Sequence, residues 1–407
     1  MNIEYFIAKR LFTAKEKNNR YTKPIFRIAI LAISLSVAIM LLSLIILSGF
    51  KSDISEKIIG FGSHITITNF TDNHSYESEP VSINQDFYPK IKDDEGINNI
   101  QVFATKAGII KTESDISGIL LKGISADFDN SFFSKNLFKG NIPSYNDTVV
   151  SDKIMLSSSI SNKLNLSIGD DVIVYFFQDP TRVRKFVLYG IYETGFVDFD
   201  DLIMIVDIQH IQKLNNWKNK EVGGFEILID NFEELDEITN NIYSKIPYNL
   251  NAQSVVEKNP QLFDWLELQN VNLKVILILM LVVGSVNMIT ALLILILEKT
   301  KLVGILKSIG YSNWSIRKVF LYNAAYLIIN GIVLGNIIGL GFALLQQKFK
   351  LISLDSNIYF MKTVPIKFDF MHIFALNLSV LVICLLVLII PSYVITKITP
   401  MKAMRFS

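Results

Sequence analysis

The sequence predicts a membrane protein in which four transmembrane α-helices carry one large α+β domain, inserted between the first helix and the second. Three observations predict it. Half of the 407 residues are hydrophobic and only 19% are charged, giving a mean hydropathy of +0.37, less polar than a soluble protein of this length. Four apolar runs, 28–50, 275–297, 319–347 and 373–396, contain no Asp, Glu, Lys or Arg. Each exceeds the roughly 20 residues a helix needs to cross about 30 Å of hydrocarbon, and none has the polar stripe of a soluble surface helix. Between the first two runs, 51–270 alternates strand-like and helix-like patterns, as an α+β domain does.

Taken in order, 1–24 forms an amphipathic N-terminal segment. Ile3, Phe6, Ile7, Leu11 and Phe12 have helical spacing beside Lys9 and Arg10, which suits a helix lying in the membrane surface, the alternative being an ordinary frayed terminus. The first span, 25–50, follows a basic stretch, as a signal peptide would. Its apolar run is longer than a typical signal core, however, and Leu47-Ser48-Gly49-Phe50 offers no A-x-A-like cleavage site, so it reads as an uncleaved anchor.

Within 51–270, His64–Thr68 alternates with period two, and 118–124, 172–177, 183–192, 202–206 and 225–229 read as further strands. Ser151–Leu164 reads as a helix with Ser151 as its N-cap, and Asn231–Ile246 as a helix that stops before Pro247. Some 220 residues can bury one or two small cores, and the expectation is two subdomains, the middle part spanning about 112–220.

The second span covers 271–297, a short loop 298–318 leads to the third at 319–347, and 348–371 leads to the fourth at 372–396, with a tail at 397–407. In the third span Gly331, Gly335 and Gly339 recur at four-residue spacing, a ridge that lets another helix approach closely.

Charge orients the chain. Residues 1–27 carry seven basic residues against two acidic, 298–318 five against one, and the tail three against none. The positive-inside rule therefore puts both termini and 298–318 in the cytoplasm and 51–270 outside. The net charge of +1 points to no nucleic acid. The four histidines are far apart and Cys384 is the sole cysteine, so neither a metal-site spacing nor an intrachain disulfide is legible. There is no P-loop, no G-x-S-x-G elbow and no H-E-x-x-H. The chain reads as a non-enzyme without its own cofactor. Charge-free spans also disfavour an ion-coupled transporter, which needs intramembrane ionisable groups. Energy for any work then arrives from a partner.

Two surface features stand out. Val174–Phe177, Gln178-Asp179-Pro180-Thr181 and Arg182–Lys185 form a strand, a turn and a basic strand. This is either a solvated hairpin or a protruding docking loop, with Phe176, Phe177, Pro180, Arg182 and Arg184 as the contact candidates. After the second span, Leu302, Ile305, Leu306 and Ile309 fall on one helical face, Gly310 suits the position just beyond a helix, and Ser312 can cap the next. Such a helix can fit a groove on a soluble protein or lie passively in the interface.

The stretch Glu298…Ile305-Leu306-Lys307-Ser308-Ile309-Gly310-Tyr311-Ser312 resembles the coupling helix of the FtsX-like, MacB-type ABC transporter permeases. The layout of one span, a large outer domain and three spans is similar too. Leu164–Asp170 resembles a signature of the outer domain shared across that wider family, and within it Ile7–Leu11, Ser48-Gly49-Phe50 and Gly60–Ile65 resemble the LolC/LolE lipoprotein-releasing branch, although Ser63 stands where that branch commonly has Pro.

The resemblance implies a MacB-like periplasmic domain and a location in the bacterial inner membrane. It also implies two permeases, two copies or paralogues, above an ATPase dimer that binds ATP and Mg. Glu298, Leu302, Ile305, Leu306, Lys307, Ile309 and Gly310 would dock on that ATPase. A lipoprotein would leave the lipid of the outer leaflet for a soluble periplasmic carrier docked on the hairpin. Met40, Leu44, Leu47 and Phe50, spaced i, i+4, i+7, i+10, with Phe263 and Leu266, would touch its acyl chains, unless they are ordinary helix packing. The alternatives are a mechanotransmission permease for efflux or cell-wall hydrolase control, and a sensor or scaffold without transport. A MacB pump carries a fused ATPase, absent here, and the cell-division branch has a smaller outer domain.

Overall fold

The computed structural model of the protein describes residues 3–13, 22–71, 76–112, 115–146, 149–218 and 220–397. Residues 14–21, the side chains of Leu11 and Phe12, and the tail from 398 onward lie outside them. The chain forms two compact units, a membrane unit of Met1–Ser52, Trp265–Ile352 and Val364–Ser407 and a soluble unit of Asp53–Asp264 and Ser353–Thr363.

Two helices open the chain, α1 at Ile3–Thr13 and α2 at Thr22–Phe61. The α1 helix packs on the third span, where Tyr5 and Tyr322 meet edge to face at 5.9 Å, while Ile3 and Phe6 stay exposed. The α2 helix carries span one and runs eleven residues past the predicted end at Phe50. Hydropathy measures the hydrocarbon thickness, not the helix: beyond Lys51, Ile54, Ile58 and Phe61 recur at helical spacing and are buried.

The soluble unit is built on a ten-stranded sheet. In chain order its elements are β1 (Ile65–Asn69), β2 (Val81–Ser82), β3 (Ile97–Lys111), β4 (Ile116–Ile124), α3 (Ser131–Lys135), β5 (Leu137–Gly140), β6 (Lys153–Ser157), α4 (Ser158–Lys163), β7 (Asp171–Phe176), β8 (Arg182–Tyr192), α5 (Val197–Asp200), β9 (Ile203–Asp207), α6 (Ile208–Leu214), β10 (Glu221–Val222), β11 (Gly224–Ile229), α7 (Leu235–Lys245), β12 (Leu250–Ser254) and α8 (Val255–Lys258). The sheet is ordered β12-β1-β11-β3-β4-β9-β6-β8-β5, with β7 paired to β3 and β8, and the short β2 and β10 pair separately.

All six predicted strands are present. Two expectations are corrected. Ser151–Leu164 is not one helix: Lys153–Ser157 is a strand beside β8 and β9, and the helix begins only at Ser158, capped by Ser157 Oγ accepting from Ile160 N at 3.0 Å. The apolar run Ile154-Met155-Leu156 is buried throughout, which a strand inside a sheet satisfies and an amphipathic helix does not. Nor does 112–220 separate as a subdomain. It supplies β4 to β9, but β4 pairs with β3 over nine residues, so the sheet is continuous. At the end of α2 lies an aromatic core of Phe61, Phe128, Phe133, Tyr145 and Tyr192.

The chain continues with α9 (Pro260–Glu298), α10 (Thr300–Ser308), α11 (Asn313–Phe349), α12 (Ser356–Tyr359), α13 (Phe370–Ser392) and α14 (Val394–Lys397). Among the described residues, four helical stretches are long and apolar enough to span a membrane: Phe26–Phe61, Pro260–Glu298, Asn313–Phe349 and Phe370–Thr396. The glycine ridge of span three packs on span one. A Cβ on Gly331 would lie 2.6 Å from Ile33 Cγ2, and one on Gly335 2.7 Å from the Ser34 carbonyl oxygen. Spans three and four are joined by reciprocal amide hydrogen bonds between Asn336 and Asn377, 2.8 and 3.1 Å. The chain between these spans does more than turn, since Ser353–Thr363 is part of the soluble unit.

Candidate functional site

The helix α10 sits between spans two and three as a nine-residue piece. Its last turn closes at Gly310, whose φ of +94° is open to glycine at little cost. Ser312 then caps α11, its Oγ accepting from Ser315 N at 3.1 Å.

The four apolar residues of one helical face differ in exposure. Val303 and Leu306 point into the apolar core of the membrane unit, which also packs against Leu302. Ile305 is 49% and Ile309 69% exposed. At about 100° per residue the four span a 100° arc, and the core takes the Val303–Leu306 edge of it. Lys307 is likewise structural, because its Nζ donates to the Ile395 and Thr396 carbonyl oxygens at 2.8 and 3.3 Å, and partial desolvation pushes its pKa down. Beside it, the Arg317 guanidinium lies 3.9 Å above the Tyr393 ring. The helix is thus riveted to the end of span four, and its outward side presents Ile305 and Ile309 with exposed Lys301 and Gly310, while Glu298, just before the helix, lies 4.0 Å from Lys299 Nζ. Nearby Trp314, which the sequence reading passed over, is also exposed.

The predicted lipid-contact face is corrected in the same way. Met40 and Leu44 are buried in the same apolar core as Leu306, while Leu47 and Phe50 are half-buried. In an all-apolar helix the spacing defines faces without saying which one packs. Here the inward face follows Ile33, Val37 and Leu41, opposite the glycine ridge of span three. Leu266 is buried in the membrane unit. Phe263 belongs to the soluble unit and stacks on Phe232 with centroids 6.1 Å apart. Exposed apolar stripes run along other spans: on span two Val271, Val275, Ile278, Leu279, Val282 and Val286, at the i, i+4, i+7, i+8, i+11, i+15 spacing of one helix face, and on span four Phe370, Phe374, Leu378, Val382 and Leu386.

The hairpin exists. Its strands β7 and β8 pair in register from Asp171↔Val187 to Phe176↔Arg182. Its candidates divide sharply. Phe176, the last residue of β7, is fully buried, and Phe177, just beyond the strand, is 75% exposed. Pro180 is exposed at the tip. Arg182 is committed inward, donating to the carbonyl oxygens of Lys213 and Leu214 at 2.8 and 2.9 Å and to Asn216 Oδ1 at 2.8 Å. With Gln178 Nε2, which donates to the Leu214 carbonyl oxygen at 3.1 Å, it caps the C-terminus of α6, where a cation suits the helix dipole. The Arg184 side chain donates to its neighbour Val183's carbonyl oxygen, at 3.2 Å. Exposed Ile173 and Val183 extend the apolar surface from Phe177 along the hairpin.

Residues 274–400 match the family model described as FtsX-like permease C-terminal. Along its length the chain is similar to the lipoprotein-releasing system transmembrane protein LolC of Xylella fastidiosa (strain 9a5c), 20% identical with 98% of both chains covered. LolC of Buchnera aphidicola subsp. Acyrthosiphon pisum is 25% identical, again with 98% of both covered. LolE of Haemophilus influenzae is 19% identical with 99% of both covered. Among solved structures, the periplasmic region of MacB from Actinobacillus actinomycetemcomitans aligns with a TM-score of 0.35 at 16% identity, covering 51% of this chain and 97% of that one. The extracellular domain of the ABC-type transporter YknZ from Gram-positive bacteria aligns with a TM-score of 0.33 at 13% identity, covering 47% and 99%. The chain is a multi-pass membrane protein whose residues 274–400 match the FtsX-like permease C-terminal domain, and over nearly its whole length it is similar to LolC and LolE proteins.

Proposed function

We propose that this chain is the permease subunit of an ATP-driven ABC complex. It extracts lipoproteins from the outer leaflet of the bacterial inner membrane and passes them to a periplasmic carrier. The observation that carries this reading is α10: a short helix between two spans, fixed to the membrane core by Val303, Leu306 and Lys307, that presents Ile305 and Ile309 outward. A handle of this kind passes on a push without bending away from it. The basic loops support a cytoplasmic position for it, where an ATPase that binds ATP and Mg would dock, and a periplasmic position for the soluble unit. The similarity to LolC and LolE over the whole chain supports lipoproteins as the cargo.

The exposed stripe of span two is the surface offered to acyl chains or to a second permease, copy or paralogue. Each CH2 withdrawn from lipid costs about 0.8 kcal/mol unless it meets apolar protein, so an uncharged stripe suits the cargo. Phe177, Pro180 and Arg184 are the hairpin residues free to meet the carrier.

The test is reconstitution of the chain with its ATPase and second permease in liposomes loaded with a lipoprotein. ATP together with a soluble carrier should bring the lipoprotein into the supernatant. A complex that hydrolyses ATP yet leaves all lipoprotein in the bilayer under these conditions sinks the reading.

A further inference from the structure

The segment Ser353–Thr363 lies between spans three and four, yet it is packed within the soluble unit. Four phenylalanine rings run through this packing as one column. Phe360 stacks on Phe196 with centroids 5.0 Å apart and planes 17° apart, Phe196 on Phe199 at 5.0 Å and 30°, and Phe199 on Phe61 at 5.0 Å and 29°. Phe196 and Phe61 are buried, and Phe61 is the last residue of α2, the helix that carries span one.

Polar contacts hold the top of the column. Lys362 Nζ lies 2.6 Å from Glu193 Oε1, and Glu193 also accepts from Ser158 Oγ at 3.1 Å. Lys362 keeps the Glu193 carboxyl below the usual range. Lys57, paired with Asp53 at 2.8 Å, donates to the Phe360 carbonyl oxygen at 3.4 Å. Phe360 itself has φ of +59°, a region that a bulky ring occupies only when its surroundings impose it.

We propose that this column is a mechanical link: it makes Ser353–Thr363 move as one body with the soluble domain, so that a displacement of spans three and four reaches the sheet through Phe360. A loop of this length without such a contact would absorb the displacement in its own torsions. A packed stack cannot, because a protein interior is close-packed and barely compressible. The rings touch no cargo; they are positioning residues. The docking claim stands by itself, whereas its consequence for transport rests on the permease reading above.

Two measurements separate these. In the full-length chain in nanodiscs, Phe360→Gly removes the ring and relaxes φ. Amide exchange across 353–363 and 196–200 should then rise about tenfold or more, with Phe360→Leu in between. Unchanged exchange overturns the docking claim, whatever the chain transports. In the reconstituted complex, Phe360→Gly should keep ATP hydrolysis within about twofold while lipoprotein released per ATP falls roughly tenfold, the scale on which mutations along a coupled network act. Release and hydrolysis falling in proportion would point to a merely structural role and overturn the link, as would unchanged release. Because Phe360→Gly can disturb folding, a charge swap provides the second variant. Glu193→Lys alone should lower release per ATP, and Glu193→Lys with Lys362→Glu should restore it; a double variant no better than the single overturns the part played by this ion pair. If the wild-type complex releases nothing, the permease reading fails while the exchange result still decides the docking.

Discussion

Lys122 Nζ lies 2.7 Å from Glu226 Oε1 and donates to the Phe61 carbonyl oxygen at 2.6 Å, with both side chains only 4% exposed. The ammonium therefore caps the C-terminus of α2 from inside the sheet. Gln101 Nε2 donates to Glu226 Oε2 at 2.9 Å, so the carboxylate is satisfied from a third strand. Burying two charges is expensive and is repaid only by such complete pairing.

Removing one partner should therefore cost far more than removing both. Lys122→Met strands a buried carboxylate and an uncapped carbonyl, a loss of about 3–5 kcal/mol. For a domain of this size that is a fall of roughly 10 °C in the soluble unit's melting temperature. Lys122→Met with Glu226→Leu should recover most of it. Thermal unfolding of the purified chain followed by circular dichroism reads the difference; a double variant as unstable as Lys122→Met would refute this account of the pair.

His64 should make the soluble unit acid-sensitive. Its Nδ1 accepts from Ile229 N at 3.2 Å, which requires a neutral ring, and burial lowers its pKa to about 4. The unfolded chain takes up this proton near pH 6.5, the folded chain only near 4. Stability is thus complete above about 6.5 and declines as pH falls toward 4, by at most about 3 kcal/mol. His210, also pushed down by burial, adds a change of the same sign. The difference in stability between wild type and His64→Gln should shrink between pH 7.5 and 4.5, and a pH-independent difference would refute the assignment.

The spans, the α+β alternation and α10 were legible because each is a periodicity that physics ties to one element. What stayed hidden was direction. The spacing of Met40 and Leu44, or of Leu302 and Leu306, defines a face but not its neighbour, and in each case the chain's own helices took it. Arg182 read as a free cation because its partner, the end of α6, is 31 residues away in sequence. The long strand β3 escaped because Gln101 and Lys106 interrupt its apolar pattern. Both are buried, paired with Glu226 and Glu77 respectively, and only the fold reveals those partners.

The glycine ridge gives a sharp contrast within one helix. A side chain at Gly335 would meet the Ser34 carbonyl oxygen at 2.7 Å and Val37 Cβ at 2.8 Å, whereas one at Gly341 would meet nothing within 4 Å. Gly335→Leu should drive spans one and three apart and lower the yield of folded protein severely, since backbone cannot yield as a flexible side chain does. Gly341→Leu should be tolerated. Fluorescence-detected size exclusion of the two variants in mild detergent would show it, and equal profiles would argue against the packing of these spans.

At the hairpin, Arg182→Ala and Phe177→Ser should fail in different ways. Losing Arg182 leaves the Lys213 and Leu214 carbonyl oxygens without their cationic cap, worth about 1–2 kcal/mol, and should raise amide exchange in α6 and the hairpin. Losing Phe177 should leave exchange unchanged, because its ring is mostly in solvent. It should, however, weaken capture of a soluble periplasmic protein by a photocrosslinker placed at Val183. Crosslinks confined to the chain itself, in wild type and variant alike, would mean that the hairpin is only solvated.

The same logic applied to α10 separates docking from anchoring. Ile305→Asp with Ile309→Asp changes two exposed side chains and should leave the melting temperature within about 2 °C, as surface substitutions do. It should nonetheless abolish co-purification of the ATPase, because charges would enter an apolar groove. Lys307→Ala should do the reverse at first order. It frees the Ile395 and Thr396 carbonyl oxygens, loosens α10 from span four and lowers stability by about 1–3 kcal/mol, while the Ile305 and Ile309 face persists. An ATPase that binds Lys307→Ala yet is stimulated less by the permease would show that α10 must be held rigidly to transmit force. Loss of ATPase binding on Lys307→Ala, with binding intact in the Ile305→Asp and Ile309→Asp variant, would reverse the assignment of the two faces.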